Sequence, residues 1–368
     1  MRRIARRTRF IIPLLPFSLA AMGLACESNR AVVLGVSTSP PYVDAARLAI
    51  EDELAAGPLP RFSTVMIPQG QNLASPAIEA AQRLVEAAGL IAVVGHSNSA
   101  ASLATAPIYN AHQVVQIAPT ASATVYSQAG PYSFRLVPPD HEQGLFLAQR
   151  LSEILPDGGR VALVYVNDDY GRGLRASLLA ELDAQRYRVV YELPQLESPT
   201  DDEDAAYAAD ALGDAQPDLI VWLARGELLA RFLVGIRERL PAVPIVGGDG
   251  LGTRGLERVP RAVMGDVRFV AFLDLDATEA LRTFRRRYQE RFGRDASASA
   301  ALTYDAVRLA IAGIRTGART GPDLRAYLSA LGRSSPAYLG IAGPIAFDDD
   351  GDVQRPYVLI RGGSEDNR

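Results

Sequence analysis

Ala92-Val-Val-Gly-His-Ser-Asn-Ser99 decides the fold, and Gln116-Ile-Ala-Pro-Thr-Ala-Ser122 is its companion. In each, an apolar run of strand length enters a turn of small, hydroxyl-bearing residues at the start of a helical pattern. An open α/β sheet offers backbone N–H groups and hydroxyls to a small anionic ligand at such turns. No nucleophile, base or metal constellation stands beside either one, so the pattern predicts a site that holds a molecule rather than transforms it.

Outward from these turns, strand-length apolar runs alternate with helical periodicity, the mark of parallel sheets flanked by helices. The first series predicts strands over 31–36, 63–67, 90–94 and 114–118 and helices over 41–54, 76–88 and 99–110. A second series has helices over 142–155, 171–185, 203–215 and 227–240 and strands over 161–166, 187–192, 219–223 and 243–246. Two similar series imply two similar lobes, as a chain of 368 residues with 48% hydrophobic residues is too long for one compact core. Arg135-Leu-Val-Pro-Pro-Asp140, with its paired prolines, reads as a crossing between lobes, and 268–274 as a second. Helices follow over 278–292, 299–316 and 322–331, and the tail over 343–360 reads as a short hairpin around Asp348-Asp-Asp-Gly-Asp352. The acidic stretch 197–204 reads as a solvated loop.

The net charge of −4 and the lack of a dense basic patch exclude nucleic acid as the expected partner, although all 38 basic residues are arginine. The absence of lysine removes the lysine-dependent phosphate loop, Schiff-base chemistry and a pyridoxal attachment site together. Gly95-His-Ser-Asn-Ser99 imitates a nucleophile elbow with its last glycine replaced. Yet the three histidines, His96, His112 and His141, do not follow a plausible acid late in the chain as that hydrolase order requires. The Asp348 to Asp352 run imitates a calcium loop, but its twelfth position is Leu359 rather than glutamate. Adjacent Asp168 and Asp169 read as solvated loop charge. The sequence therefore predicts no enzyme, no cofactor and no metal.

At the N-terminus, Arg2, Arg3, Arg6, Arg7 and Arg9 precede an apolar run over 10–25, interrupted by Pro13 and Pro16. This predicts an export signal over 1–26 rather than a membrane span. The run ends at Gly23-Leu-Ala-Cys26, which resembles a bacterial lipobox and would make Cys26, the sole cysteine, a lipid anchor. A plain secretory signal with a chance cysteine is the alternative. Either way the mature chain is expected in the periplasm or cell envelope, touching the membrane through the anchor only.

Several short motifs carry a family resemblance: Val94-Gly-His-Ser-Asn-Ser99, Ala118-Pro-Thr-Ala-Ser122, Arg135-Leu-Val-Pro, Val166-Asn-Asp-Asp-Tyr-Gly-Arg-Gly173, Gly247-Gly-Asp-Gly-Leu251, Thr303-Tyr-Asp-Ala-Val-Arg308 and Phe347-Asp-Asp-Asp-Gly-Asp352. Their order resembles the type I periplasmic binding proteins, and within them the branched-chain amino-acid (leucine-binding) proteins of ABC transporters, over nearly the whole mature chain. The resemblance implies two doubly wound parallel-sheet α/β lobes, joined by three crossing segments with a ligand cleft between them. Lobe 1 is then expected over 27–137 plus 275–336, and lobe 2 over 138–274 plus 337–368.

The same resemblance implies the site. Ser99 matches the serine that holds the ligand carboxylate, a position where a helix N-cap is also expected. Thr120, Ala121 and Ser122 surround the amino-acid head. Tyr170, at a strand's carboxyl end, covers the ligand, and Asp249 in its glycine turn pairs with the ligand ammonium. Arg225 departs from the family pattern and either binds a second carboxylate or pairs with a neighbouring acid. Tyr42 follows a first turn shorter than usual and is a further cleft candidate. The function expected is a solute receptor that closes around an amino-acid-like ligand and docks on an ABC permease. The rival is a sensory or envelope-assembly protein using the same two lobes as an interaction surface.

Overall fold

The computed structural model describes residues 31–59, 61–69, 73–195, 202–252 and 255–362. The export segment with Cys26 and residues 197–201 of the acidic stretch lie outside the described residues.

The first series builds β1 (Val32–Ser37), α1 (Pro40–Ala56), β2 (Phe62–Met66), α2 (Ala74–Val85), β3 (Leu90–Gly95), α3 (Ser99–Ala111), β4 (Val115–Ala118) and β5 (Ser133–Arg135). Its sheet runs β2-β1-β3-β4-β5 with every pairing parallel. All six residues of β1 are buried, as a parallel strand covered by helices on both faces requires. The second series builds α4 (Asp140–Ile154), β6 (Gly159–Val166), α5 (Asp169–Glu181), β7 (Tyr187–Gln195), α6 (Asp202–Ala215), β8 (Leu219–Leu223), α7 (Gly226–Arg239), β9 (Ile245–Gly247), α8 (Arg261–Met264) and β10 (Val267–Ala271). The chain then returns through α9 (Glu279–Phe292), α10 (Ala298–Arg315), α11 (Gly321–Ala330), β11 (Tyr338–Gly340), β12 (Gly343–Ile345) and β13 (Val358–Arg361). The second sheet runs β13-β10-β9-β8-β6-β7, parallel except where β13 pairs antiparallel with β10.

Two large cores result. One joins Leu34, Val94 and Ile117 of the first sheet to Leu302, Val307 and Ile311 of α10, so the returning helices complete the first lobe. The other surrounds Val164 and Trp222, with Phe232 set edge-on against the Trp222 ring at 5.9 Å. The two-lobed, doubly wound parallel-sheet α/β architecture is thus the one expected.

Several local expectations need correction. Arg135, read as the start of a crossing, is the last residue of β5, the edge strand of the first sheet. Arg268, also read into a crossing, lies inside β10 of the second sheet. The tail hairpin is β11–β12, upstream of the acidic turn, and it packs Tyr338, Ile341 and Ile345 on the first core. Phe347 and Val353 join that core too, so the tail up to Val353 packs with the first lobe, and Tyr357 and β13 with the second. These strands are three to five residues long, too short for periodicity to register. Among the described residues, no helix is long and apolar enough to cross a membrane.

Candidate functional site

In open α/β sheets ligands bind at the carboxyl ends of the strands, and the turns at those ends carry the residues read as site candidates. Ser122 after β4 meets Asp140 at the start of α4: the Asp140 N–H donates to the Ser122 carbonyl at 2.7 Å.

The first-lobe wall is rich in hydroxyls. Thr38 Oγ1 and Ser97 Oγ are hydrogen-bonded at 2.8 Å, the Ser39 N–H donates to Ser97 Oγ at 2.7 Å, and Thr120 Oγ1 donates to the Ser97 carbonyl at 3.0 Å. Ser99 opens α3 with its hydroxyl accepting the Ala123 N–H at 3.1 Å. The cap is not Ser99 but Asn98, whose side chain accepts the Ala101 N–H at 2.8 Å. The Ser99 oxygen is therefore not the cap acceptor, and the hydroxyl sits at the positive end of the helix dipole. Ala121 is buried, and its carbonyl accepts from Arg135 Nη1 at 3.3 Å. Tyr42 stands in the first turn of α1, half-buried against the first core.

His96 points away from this wall. It is buried between Gln69 (Nδ1 to Oε1, 3.0 Å) and Tyr109 (Nε2 to Oη, 3.1 Å), and burial pushes its pKa down to about 3. An imidazole held neutral behind the turn is a packing element and no base for Ser97.

The second-lobe wall is built by close approach. A Cβ on Gly250 would stand 2.8 Å from the Tyr170 hydroxyl, and one on Gly248 only 2.7 Å from Gln143 Oε1. Glycine is required there for these side chains to reach the turn backbone. Gly144 lets α4 press on α5, since its Cβ would fall 2.6 Å from the Ser177 Cβ. That contact sets Gln143 beside Tyr170. The Tyr170 hydroxyl donates to Asp249 Oδ1 at 2.9 Å and accepts the Gly250 N–H at 3.0 Å. Gln143 accepts the Asp249 N–H at 2.8 Å through Oε1, and its Nε2 donates to Asp249 Oδ1 at 3.0 Å and to Asp140 Oδ1 at 3.2 Å.

Electrostatically this wall is acidic. Burial raises the Asp249 carboxyl against the opposing pull of Gln143, Tyr170, Gly250 and the Arg225 charge. Asp140 is fully buried, and desolvation together with the Asp249 charge pushes its carboxyl well up, the Ser122 hydroxyl and Arg135 opposing. Burial and the same two acids raise the Tyr170 phenol. An acidic, partly desolvated recess of this kind favours a cation with N–H donors.

Arg225 flanks Tyr170 at the end of β8. Its guanidinium carbon is 5.8 Å from the Tyr170 ring centroid, and Nη2 is 3.4 Å from Asp168 Oδ2. Of the two alternatives, pairing with a neighbouring acid is the one seen. Asp168 is not loose loop charge, because it also caps α5 by accepting the Gly171 N–H at 2.9 Å. Tyr170, Asp249 and Arg225 come together at the strand ends of the second lobe, and Gln143 and Asp140 link them to Ser122; Ser99, Thr120 and Ala121 lie on the turns after β3 and β4. Sequence reasoning missed Ser97, Asp140 and Gln143; the first follows from its place in the turn, while the other two carry no local signal. Among the described residues, no group of three or more His, Cys, Asp or Glu side chains could hold a metal ion.

Comparison with known proteins agrees with this fold. An amino acid binding protein of Pseudomonas aeruginosa is 27% identical over 186 residues, which is 47% of this chain and only about half, 49%, of that relative. The branched-chain amino acid transporter substrate-binding protein of Streptococcus pneumoniae, solved with isoleucine, superposes with a TM-score of 0.78 at 20% identity, covering 90% of this chain and 95% of that one. A solute-binding protein of an ABC transporter from Rhodopseudomonas palustris, solved with 3,4-dihydroxybenzoic acid, gives 0.77 at 16% identity, covering 90% and 93%. Residues 34–367 match the family described as periplasmic binding protein, and with nearly all of its described residues inside that match the chain belongs to this family.

Proposed function

We propose that this protein is the extracytoplasmic receptor of an ABC transporter, closing its lobes around a branched-chain amino acid or a related amino-acid-like ligand and presenting it to an inner-membrane permease. The observation that carries the reading is the Asp249 carboxylate, held by Tyr170 and Gln143. The ligand carboxylate meets Ser99, Thr120, Ser122 and the α3 N-terminus; its ammonium meets Asp249. Each is a charge-assisted bond in a dehydrated crevice. Closure is a hinge motion in the crossing segments, driven by contacts that only the closed form makes. The acidic second-lobe wall favours a ligand with an ammonium over a simple aromatic acid. Cys26, lipidated, tethers the receptor to the envelope. The reading needs no cofactor, metal or chemical step.

Thermal unfolding of the purified protein, refolded to strip any retained ligand, against amino acids, dicarboxylates and small amides tests it. A ligand at a thousand times its dissociation constant adds about 4 kcal/mol of stability. A rise with leucine, isoleucine or valine supports the reading. A rise with aromatic acids alone, or silence across the panel, overturns it; silence turns attention to the two lobes as a sensory or envelope-assembly surface.

A further inference from the structure

We propose that Asp140 and Asp249 form one two-carboxylate subsite that holds a single proton and releases it to solvent when a primary ammonium group enters between them. The inference deepens the proposed function and rests on it for the ammonium.

Geometry carries it. Gln143 uses its whole amide on this pair: Oε1 accepts the Asp249 N–H, which fixes the amide's orientation, and Nε2 donates one hydrogen to Oδ1 of each carboxylate, at 3.0 and 3.2 Å. The two acids are therefore within one amide group of each other. Asp249 Oδ1 has a second donor, the Tyr170 hydroxyl, and the Ser122 hydroxyl bears on Asp140. Asp140 is fully buried, and its Oδ2 has no hydrogen-bond partner among the described residues.

The two arginines that bear on the pair, Arg135 on Asp140 and Arg225 on Asp249, are each engaged with another acid. On the β5 side Arg135 is bound bidentate to Asp352, and on the β8 side Arg225 pairs with Asp168. Most of the remaining titratable groups around the pair add negative charge. Asp168 bears on Asp140 from the end of β6, and Tyr170 on both acids from α5. Tyr357, ahead of β13, has a phenol raised by burial and by both acids, and Glu142 and His141 follow Asp140 on α4. Two like charges this close in a desolvated site do not both ionise. Asp249, held by the Tyr170 hydroxyl and by Gln143, keeps the charge, and Asp140, fully buried with Oδ2 unpartnered, keeps the proton. An entering ammonium brings three N–H donors and one positive charge. The Asp140 O–H bond breaks, its proton passes to water, and N–H···O bonds form to Asp140 Oδ2 and to Asp249. The subsite then selects primary ammonium over quaternary ammonium, which has no N–H to offer, and over neutral ligands.

The test is 13C NMR of the full protein labelled at the aspartate Cγ, with the Asp140 resonance identified by its loss in Asp140→Asn. Asp140 is expected at a protonated-carboxyl shift at neutral pH and at a carboxylate shift once methylammonium is added, while tetramethylammonium at the same concentration leaves it unmoved. Calorimetry with L-leucine in two buffers of different ionisation heat should show about one proton released per leucine in wild type and none in Asp140→Asn, whose affinity falls on the order of tenfold or more. An ionised Asp140 before any addition, an Asp140 that stays protonated under methylammonium, or leucine binding without proton release overturns the proposal. If methylammonium moves Asp140 but leucine does not bind, the subsite stands and the amino-acid reading fails. Should Asp140→Asn not fold, Asp249→Asn identifies the pair instead, since removing that charge lowers the Asp140 titration midpoint.

Discussion

Arg135 on the last strand of the first sheet holds Asp352, 217 residues later, by two parallel bonds: Nε to Oδ1 at 2.6 Å and Nη2 to Oδ2 at 2.7 Å. The Arg135 side chain is fully buried, and its remaining donors bind the Ala123 carbonyl at 2.9 Å and Ser127 Oγ at 2.5 Å. The pair fastens the turn before β13 to the first lobe where one crossing leaves it. Arg355 adds a bond from Nε to the Leu136 carbonyl at 2.9 Å, so two crossings are tied side by side. Breaking a buried pair from one side strands a charge. Asp352→Ala should therefore lower stability by about 3–5 kcal/mol, read as a fall in the denaturant midpoint. Arg135→Met combined with Asp352→Leu should recover part of that loss; a double variant as unstable as the single would refute this account.

Asp249→Ala removes the acceptor shared by Tyr170 and Gln143. We expect the affinity for an amine-bearing ligand such as L-leucine to drop more than tenfold, about 1.4 kcal/mol or more. Unchanged affinity by calorimetry would remove Asp249 from the site.

Gly250→Ala places a methyl 2.8 Å from the Tyr170 hydroxyl and 3.1 Å from its ring, whereas a methyl on Gly173 meets nothing within 4 Å. The first variant should lose leucine affinity by displacing Tyr170 from Asp249. The second, on the same helix as Tyr170, should bind normally and gain about 0.5–1 kcal/mol of helix stability. Equal binding by both would show that the Tyr170 position does not matter.

His96 carries a pH signature. Its pKa is about 3 in the folded chain against 6.5 when exposed, so below 6.5 the unfolded chain binds the extra proton. Stability is full above pH 6.5 and falls as pH drops toward 3, by on the order of a few kcal/mol in total. Asp305 works in the opposite sense, because burial raises its carboxyl to about 6 from 3.8 and its ionisation destabilises as pH rises through that window. Comparing wild type with His96→Gln isolates the histidine: the variant's stability should vary less between pH 6.5 and 4. Parallel curves would show that His96 is not held neutral.

Arg225 is already matched by Asp168, so Arg225→Gln should leave leucine affinity within about threefold, roughly 0.6 kcal/mol, while weakening any dicarboxylate that binds. A large loss of leucine affinity would place its guanidinium against the ligand.

The architecture was legible because its signals are local. β1, β3 and β4 are apolar runs buried on both faces, and the helices between them announce themselves by a 3.6-residue period within a single window. Asp249 and Tyr170 were legible as well, each standing in a glycine-bearing turn that follows such a run. β5, β12 and β13 were not: segments of three or four residues have no period, and pairing with a distant partner is what makes them strands. Asp140 and Gln143 were equally silent. After Pro138 and Pro139 they look like any helix start, and the bond from Gln143 to Asp249 spans 106 residues.

What the sequence determined by itself is the alternation of strands and helices, hence two parallel-sheet lobes, and the turns at which their strands end. Hydrophobic period and glycine placement act over a few residues and need no partner to be read. Only the tertiary structure decided which acids share one amide, which arginines are already matched, and which lobe claims the tail. Those outcomes depend on the order of strands in each sheet and on the close approach of α4 to α5 at Gly144, which bring together side chains that no local pattern relates.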